Sequence, residues 1–179
     1  MVAGGREYEL DCLIFATGFE VGTSYTRRAG YDIIGRGGRT LSEHWASGLR
    51  TLHGLTAHGF PNCFFLGFTQ TAITISVPQA LREQADHVAY IVTEARRQGA
   101  NALEPTPEAE EAYVQEVRSL ARMGQRFYME CTPGYYNSEG ATGNRSGFFS
   151  DMYGAGPLPF FAKLADWRAS GDLPGLALS

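Results

Sequence analysis

The chain has 179 residues, 44% of them hydrophobic and 19% charged, with a formal net charge of −4. That length supports one sizeable core, and the absence of a basic excess argues against nucleic acid as a partner. No apolar run approaches the ~20 residues that a bilayer span needs, and Met1-Val2-Ala3-Gly4-Gly5-Arg6 lacks the apolar region of a signal peptide.

The first residues read as the end of one strand, a tight turn at Gly4-Gly5 and a second strand from Arg6 to Leu10. A domain seldom begins so close to a turn, so the start reads as a cut into a longer protein. Next comes Asp11-Cys12-Leu13-Ile14-Phe15-Ala16-Thr17-Gly18-Phe19. Its continuous hydrophobicity predicts a strand covered on both faces, as in a parallel sheet. Gly18 lets the backbone turn sharply or approach another group, and the carboxyl edge of such strands is where open α/β sheets bind ligands. Spacing alone is served more simply by a core strand and an ordinary turn. The segment 20–39 is polar and glycine-rich. Gly35-Arg36-Gly37-Gly38 lacks the GxGxxG spacing of a phosphate loop and reads as a surface hairpin turn. Ser42 is the predicted N-cap of a short helical turn ending at Trp45.

His53 and His58 are not at the spacing of a helical metal pair and have no cysteine or carboxylate close in sequence, so packing in a loop or pocket is the better reading. His44 and His87 have no catalytic partner evident in the sequence. No GxSxG elbow occurs. Cys63-Phe64-Phe65-Leu66 predicts another short apolar strand, ending in Gly67. The loop from Phe68 to Ile75 leads into the strongest predicted helix, with a capping box at Ser76 and Gln79, Pro78 in its first turn, and a stop at Gly99. Val77, Leu81, Ala85, Val88, Val92 and Ala95 recur at three and four and predict one buried stripe. The amides of the first turn favour a negatively charged ligand group, although on sequence alone a self-capped helix needing no ligand is the simpler reading.

A second helix is predicted from an N-cap at Thr106 through Pro107 to Met123, with Gly124 as its stop. Ala109, Ala112, Tyr113, Val117, Leu120 and Ala121 form its apolar face; Glu108, Glu110, Glu111, Arg118 and Arg122 read as solvated charges that match the helix dipole. From Phe127 to Tyr153 the pattern dissolves into a long aromatic and glycine-rich loop of the kind that carries function. Pro159 to Arg168 closes the chain as a helix capped by Gly171, with Phe160, Phe161, Leu164 and Trp167 on its core side. Three widely spaced cysteines (Cys12, Cys63 and Cys131) fit reduced thiols in the cytoplasm better than a disulfide framework.

The run from Asp11 to Phe19 resembles the late Ala-Thr-Gly signature of flavoprotein monooxygenases with two dinucleotide domains, and most of all Baeyer–Villiger monooxygenases. The resemblance continues through Leu41 to Trp45, Gly54-Leu55, Gly59 to Gly67, and Asp86-His87-Val88-Ala89-Tyr90. It covers most of the chain but only the carboxyl-terminal third of a much longer enzyme. It implies an α/β fold: a partial FAD/NAD(P)-binding Rossmann-like fold with helices and a long carboxyl-terminal aromatic loop. By resemblance, 1–18 are the last strands of an NADP-type nucleotide-binding domain and 19–130 the carboxyl-terminal half of an FAD-binding domain. Residues 131–179 are then a cofactor-covering loop and terminal helix.

The resemblance further implies FAD- and NADPH-dependent insertion of one oxygen atom from dioxygen beside a ketone carbonyl, giving an ester or lactone. Cofactor contacts carry over to Thr17, Gly18, Gly67, Gln70, Thr71, Ser76 and Val77. In the family the helix beginning at this point aims at the pyrimidine edge of the flavin. Tyr135 and Tyr136 stand where the family's loop places a tryptophan against the nicotinamide cofactor. Thr71, Ala72, Ile73 and Thr74 would line the substrate side. No residue carries over as a catalytic acid, base or nucleophile, and none as a metal ligand. The chain departs from the family in lacking any GxGxxG, the FxGxxxHxxxWP signature and the segment bearing the active-site arginine, and its Thr71–Thr74 loop is short. The expectation is therefore a piece without activity of its own, for which both cofactors need the missing amino-terminal part. A noncatalytic fragment working with a partner polypeptide is the alternative; its exposed sheet edge would favour self-association. A related N-hydroxylating or disulfide-reducing flavoprotein is the third reading, and Gly134-Tyr135-Tyr136 and Gly59-Phe60-Pro61-Asn62 argue against it.

Overall fold

A computed structural model describes residues 1–16, 25–120 and 152–179. Strands β1 (Val2–Ala3) and β2 (Arg6–Glu7) form an antiparallel hairpin, Val2 opposite Glu7 and Ala3 opposite Arg6. Its turn uses positive φ at Gly4 and Gly5, which only residues without a Cβ take readily. Of the strand predicted to follow, residues 17–19 lie outside the described residues and 11–16 form no regular element. Residues 11–16 pair with no strand among the described residues and are exposed throughout, Ile14 to 81% and Phe15 to 80%. A strand apolar on both faces needs neighbours and cover on both sides, and the described residues supply neither. Cys63–Leu66 likewise joins no sheet; Phe65 N–H donates to the Leu55 carbonyl at 2.8 Å while Leu66 lies exposed.

Helix α1 spans Tyr25–Ala29 and α2 spans Leu41–His44. The Gly35–Gly38 stretch is a turn, as its glycines suggest: Ile34 and Thr40 bridge across it, and Gly35 N–H donates to the Arg39 carbonyl at 2.8 Å. The cap of α2 is Thr40, not Ser42. Glu43 N–H donates to Thr40 Oγ1 (3.2 Å) while Thr40 N–H donates to Glu43 Oε2 (2.8 Å), a complete capping box. Ser42 Oγ instead hydrogen-bonds the Asp32 carboxylate.

The long helix α3 spans Val77–Arg97, and the chain turns away at Gly99, whose φ is 78°. Its orientation overturns the predicted stripe. The buried line is Ala80, Gln84, His87, Ile91 and Ala95, whereas Val77, Leu81 and Ala85 are exposed and Val88 and Val92 half-buried. Two polar residues, Gln84 and His87, turn the helix away from its most apolar face because their side chains find partners inside. Strand β3 (Leu103–Pro105) leads to α4 (Pro107–Leu120), whose first turn is capped as predicted by Ala109 N–H donating to Thr106 Oγ1 at 3.2 Å. Helix α5 (Pro157–Ser170) ends at Gly171 in the left-handed conformation, and β4 (Leu176–Leu178) then pairs antiparallel with β3.

The core is assembled around α4 and α5. Tyr113 and Val117 of α4 meet Phe160 and Leu164 of α5 together with Leu52, Ala72 and Tyr153. Burying a side chain of the size of Phe160 or Leu164 contributes about 2 kcal/mol. A second cluster joins Leu41, Trp45, Leu49, Ala57 and Phe60 around α2, and a third packs Ile91 and Ala95 on Leu103 and Leu173. Among the described residues the architecture is thus helices packed on buried loops with two small antiparallel ribbons. No helix among them is long and apolar enough to cross a membrane.

Candidate functional site

The segment 67–77 lies between the buried loop 51–57 and the start of α3, and it is anchored from behind. Gln84 of α3 acts as a surrogate strand. Gly67 N–H donates to Gln84 Oε1 (2.8 Å), and Gln84 Nε2 returns a bond to the Gly67 carbonyl (2.9 Å). Thr71 Oγ1 donates to the same carbonyl at 2.9 Å. Gln70 takes a positive φ of 57° and is fully buried. Its side chain accepts from Thr51 Oγ1 (2.6 Å) and donates to the Leu49 carbonyl (3.0 Å), and its own carbonyl accepts from the Tyr113 hydroxyl (2.8 Å). Every polar atom of the Gln70 side chain is therefore engaged inside the chain.

Gly54 locks the two loops together. A Cβ there would lie 2.1 Å from the Thr69 carbonyl oxygen and 2.5 Å from a Thr71 methyl group, and its φ is 74°. This is a close backbone approach that only glycine permits.

In front, the described residues leave the same segment open. Among them, nothing lies within 4 Å of where a Cβ on Gly67 would stand. Ile73 is exposed, Ile75 is fully so, and Thr74 and Ser76 are half-buried. The capping box predicted for α3 is absent: Ser76 Oγ makes no cap, and Ser76 N–H donates instead to Thr74 Oγ1 at 3.2 Å. Pro78 has no N–H, and the Val77 and Gln79 amides make no hydrogen bond among the described residues. The first turn of α3 thus offers two free donors at the positive end of a long helix.

Of the predicted contact residues, Gly67, Gln70, Thr71, Ser76 and Val77 come together along this one segment. Of the predicted substrate side, Thr71 and Ala72 are buried, while Ile73 is exposed and Thr74 half-buried. Thr17, Gly18, Tyr135 and Tyr136 lie outside the described residues.

The polar groups buried beside this segment correct one reading of the sequence, that of Glu110 as a solvated charge. Glu110, 2% exposed, does not belong to a solvated face. It accepts from His44 Nε2 (3.0 Å), His58 N–H (2.8 Å) and Arg50 Nε (3.3 Å), tying α2 and the 50–58 loop to α4. Burial pushes its carboxyl up, but the hydrogen bonds from His44 and from the His58 amide outweigh it and hold the group below its ordinary value. His44 Nδ1 is buried without a partner among the described residues. His53, far from His58 in its contacts, pairs with His87 across α3. Among the described residues no group of three histidines, cysteines or carboxylates could hold a metal ion.

No protein-family model matches the chain. It is 47% identical over 180 residues to pentalenolactone D synthase of Streptomyces arenae, covering 99% of this chain and 30% of that protein. It is 40% identical to Baeyer-Villiger monooxygenase 4 of a Dietzia species, over 98% of this chain and 28% of that one. Its fold is similar to the polycyclic ketone monooxygenase of Thermothelomyces thermophila, with a TM-score of 0.78 and 33% identity over 99% of this chain and 29% of the other. A steroid monooxygenase solved with NADP bound gives a TM-score of 0.75 and 30% identity, over 97% of this chain and 31% of the other. The chain spans about 30% of the length of the curated relatives it matches.

Proposed function

The chain belongs with the Baeyer–Villiger-type flavin-dependent monooxygenases, matching their carboxyl-terminal part, and from that premise we propose that it supplies the ring-side wall of a flavin site in an enzyme that inserts oxygen beside a ketone carbonyl. The observation that carries this reading is the 67–77 segment, fixed from behind by Gln84 and Gln70 and, among the described residues, open in front with two free amides. Such donors, backed by a helix dipole, suit a ligand edge that becomes electron-rich. The flavin, when bound, supplies the redox chemistry with NADPH and dioxygen. The chain's own part is to hold and polarise. The amides of Val77 and Gln79 hold the negatively polarised edge, and Gly67 gives that ring an approach free of side chains. Ile73, Thr74 and Ile75 exclude water on the side where a ketone would lie. Tyr135 and Tyr136 are proposed for the nicotinamide cofactor, and Thr17 and Gly18 for the dinucleotide side. With no GxGxxG in the sequence, neither diphosphate has its usual glycine-rich cradle in this chain.

The test is flavin uptake. The purified chain, titrated with FAD, should leave the flavin spectrum unchanged. Mixed with the amino-terminal 70% of a relative such as pentalenolactone D synthase, it should take up one flavin and gain NADPH oxidation. Stoichiometric FAD binding with NADPH oxidation by this chain alone would overturn the reading.

A second reading, in which the chain acts noncatalytically with a partner polypeptide, is favoured by one observation. Leu13, Ile14, Phe15, Ile75, Val77 and Leu81 are all exposed, and large apolar side chains left uncovered in this number ordinarily meet another protein surface. From the same side chains we infer a tendency to self-associate. The free thiols of Cys12 and Cys63 accord with a cytoplasmic setting.

A further inference from the structure

Behind the candidate site, three side chains from separate elements meet in a line. Arg168 of α5 has Nη1 3.3 Å from Nδ1 of His87 on α3. His87 Nε2 lies 3.3 Å from Nδ1 of His53 in the 51–57 loop. Both imidazoles are buried, His87 completely. Trp167 covers both, with ring centroids 4.9 Å from His87 and 5.4 Å from His53, and Tyr113 of α4 packs edge-on to His53 at 5.5 Å.

The hydrogens of this line are fixed by elimination. A guanidinium can only donate, so His87 Nδ1 is the acceptor and the neutral ring carries its proton on Nε2. That Nε2–H then donates to His53 Nδ1, which must also be bare. The chain of bonds runs from Arg168 to His87 to His53 and exists only while both rings are neutral.

We propose that Arg168, His87 and His53 form a proton-operated latch, holding α5 against α3 and against the loop behind the candidate site at neutral pH and releasing α5 in mild acid. Protonating His87 removes the acceptor that Arg168 uses and sets two cations against each other. Protonating His53 removes the acceptor that His87 uses. The surrounding charges reinforce this. From α5, Lys163 faces His53 as well as Arg168 facing His87; from α4, Tyr113 stays neutral, and Glu116 is occupied by Lys163 at 2.9 Å. From α3, Tyr90 meets Trp167 edge-on, with ring centroids 6.3 Å apart. No carboxylate faces either ring among these contacts, so nothing compensates a gained proton. Burial first, and then Arg168, holds His87 down at about 4; burial, His87 and Lys163 hold His53 well below the ordinary histidine value. The loop that would loosen is the one that Gly54 locks to Thr69 and Thr71, which links the latch to the candidate site without depending on a flavin.

The experiment is a pH titration of the 15N-labelled chain, reading imidazole nitrogen shifts and backbone amide exchange. At pH 7 His87 should show the Nε2–H tautomer and stay neutral well below pH 6. After correction for intrinsic rates, exchange at Leu164 and Trp167 should rise about 20-fold between pH 7 and pH 5, the factor expected for a histidine moved from 6.5 to about 4. Val114 in α4 should change far less. The double variant His53→Gln, His87→Gln, which offers a donor and an acceptor at each position but takes no proton, should lose this response. An unchanged response in the double variant, or equal acceleration at Val114, would overturn the latch. Should the double variant fail to fold, the native chain still decides: His87 titrating near its ordinary value, or carrying its proton on Nδ1, overturns it.

Discussion

Behind the 67–77 segment, polar side chains are buried beside the apolar core and nearly all matched: Gln70, Gln84, Glu110, His53 and His87 each meet partners on other elements. In front of it Ile73, Ile75, Val77 and Leu81 are apolar and exposed. Across one short stretch of chain, matched polar groups are buried with the core and apolar side chains are left outside. The rear shows that directional bonds, more than hydrophobicity, decide which side of α3 faces inward. The front is a surface built to be covered, and its burial would come from association and not from this chain's own folding.

The contrast can be broken hardest at the rear. Glu110→Ala strips partners from His44, Arg50 and the His58 amide at once. It should destabilise the chain by about 3–5 kcal/mol, read as a lower urea midpoint, because the groups left behind are desolvated and unpaired. Acid should act next. His87 is depressed in the folded state, so its contribution is complete above about pH 6.5 and is lost as the pH falls toward 4. Integrated over that window the loss is about 3 kcal/mol, and urea melts at pH 7 and pH 4.5 should show most of it. Gln84→Leu keeps the volume but leaves Gly67 N–H and its carbonyl without the clamp. A loss of about 2 kcal/mol is expected, together with faster exchange of the Gly67 amide. The front should be nearly silent. Ile75→Ser with Leu81→Lys should shift stability by no more than about 0.5 kcal/mol, yet reduce self-association measured by sedimentation.

The same contrast marks how far the sequence could be read. Helices α3, α4 and α5 were legible because apolar spacing marks all three, Pro78 and Gly99 bracket α3, Thr106 and Pro107 start α4, and Gly171 stops α5; the predicted end of α4 lies outside the described residues. The inward face of α3 was not, since periodicity weighs Val77 and Leu81 above Gln84 and His87, and only tertiary partners reverse that order. Glu110 looked like a solvated charge because nothing in its own helix announces His44 or Arg50, more than fifty residues away in the chain. Pairing of β3 with β4 carried no local signal, each strand being too short to show alternation. The segment around Gly67 was legible as a candidate site, but the split within it was not. Thr71 and Ala72 are buried, Ile73 is exposed and Thr74 half-buried, a division set by the clamp at Gln84 and the lock at Gly54.

The central claim is that the first turn of α3 faces a flavin held in common with another stretch of protein. Its most direct test is amide exchange at Val77 and Gln79 in the complex reconstituted with an amino-terminal partner, with and without FAD. Protection of both amides that appears only when FAD is added is the predicted result. Flavin binding by that complex with both amides exchanging as freely as before would contradict it.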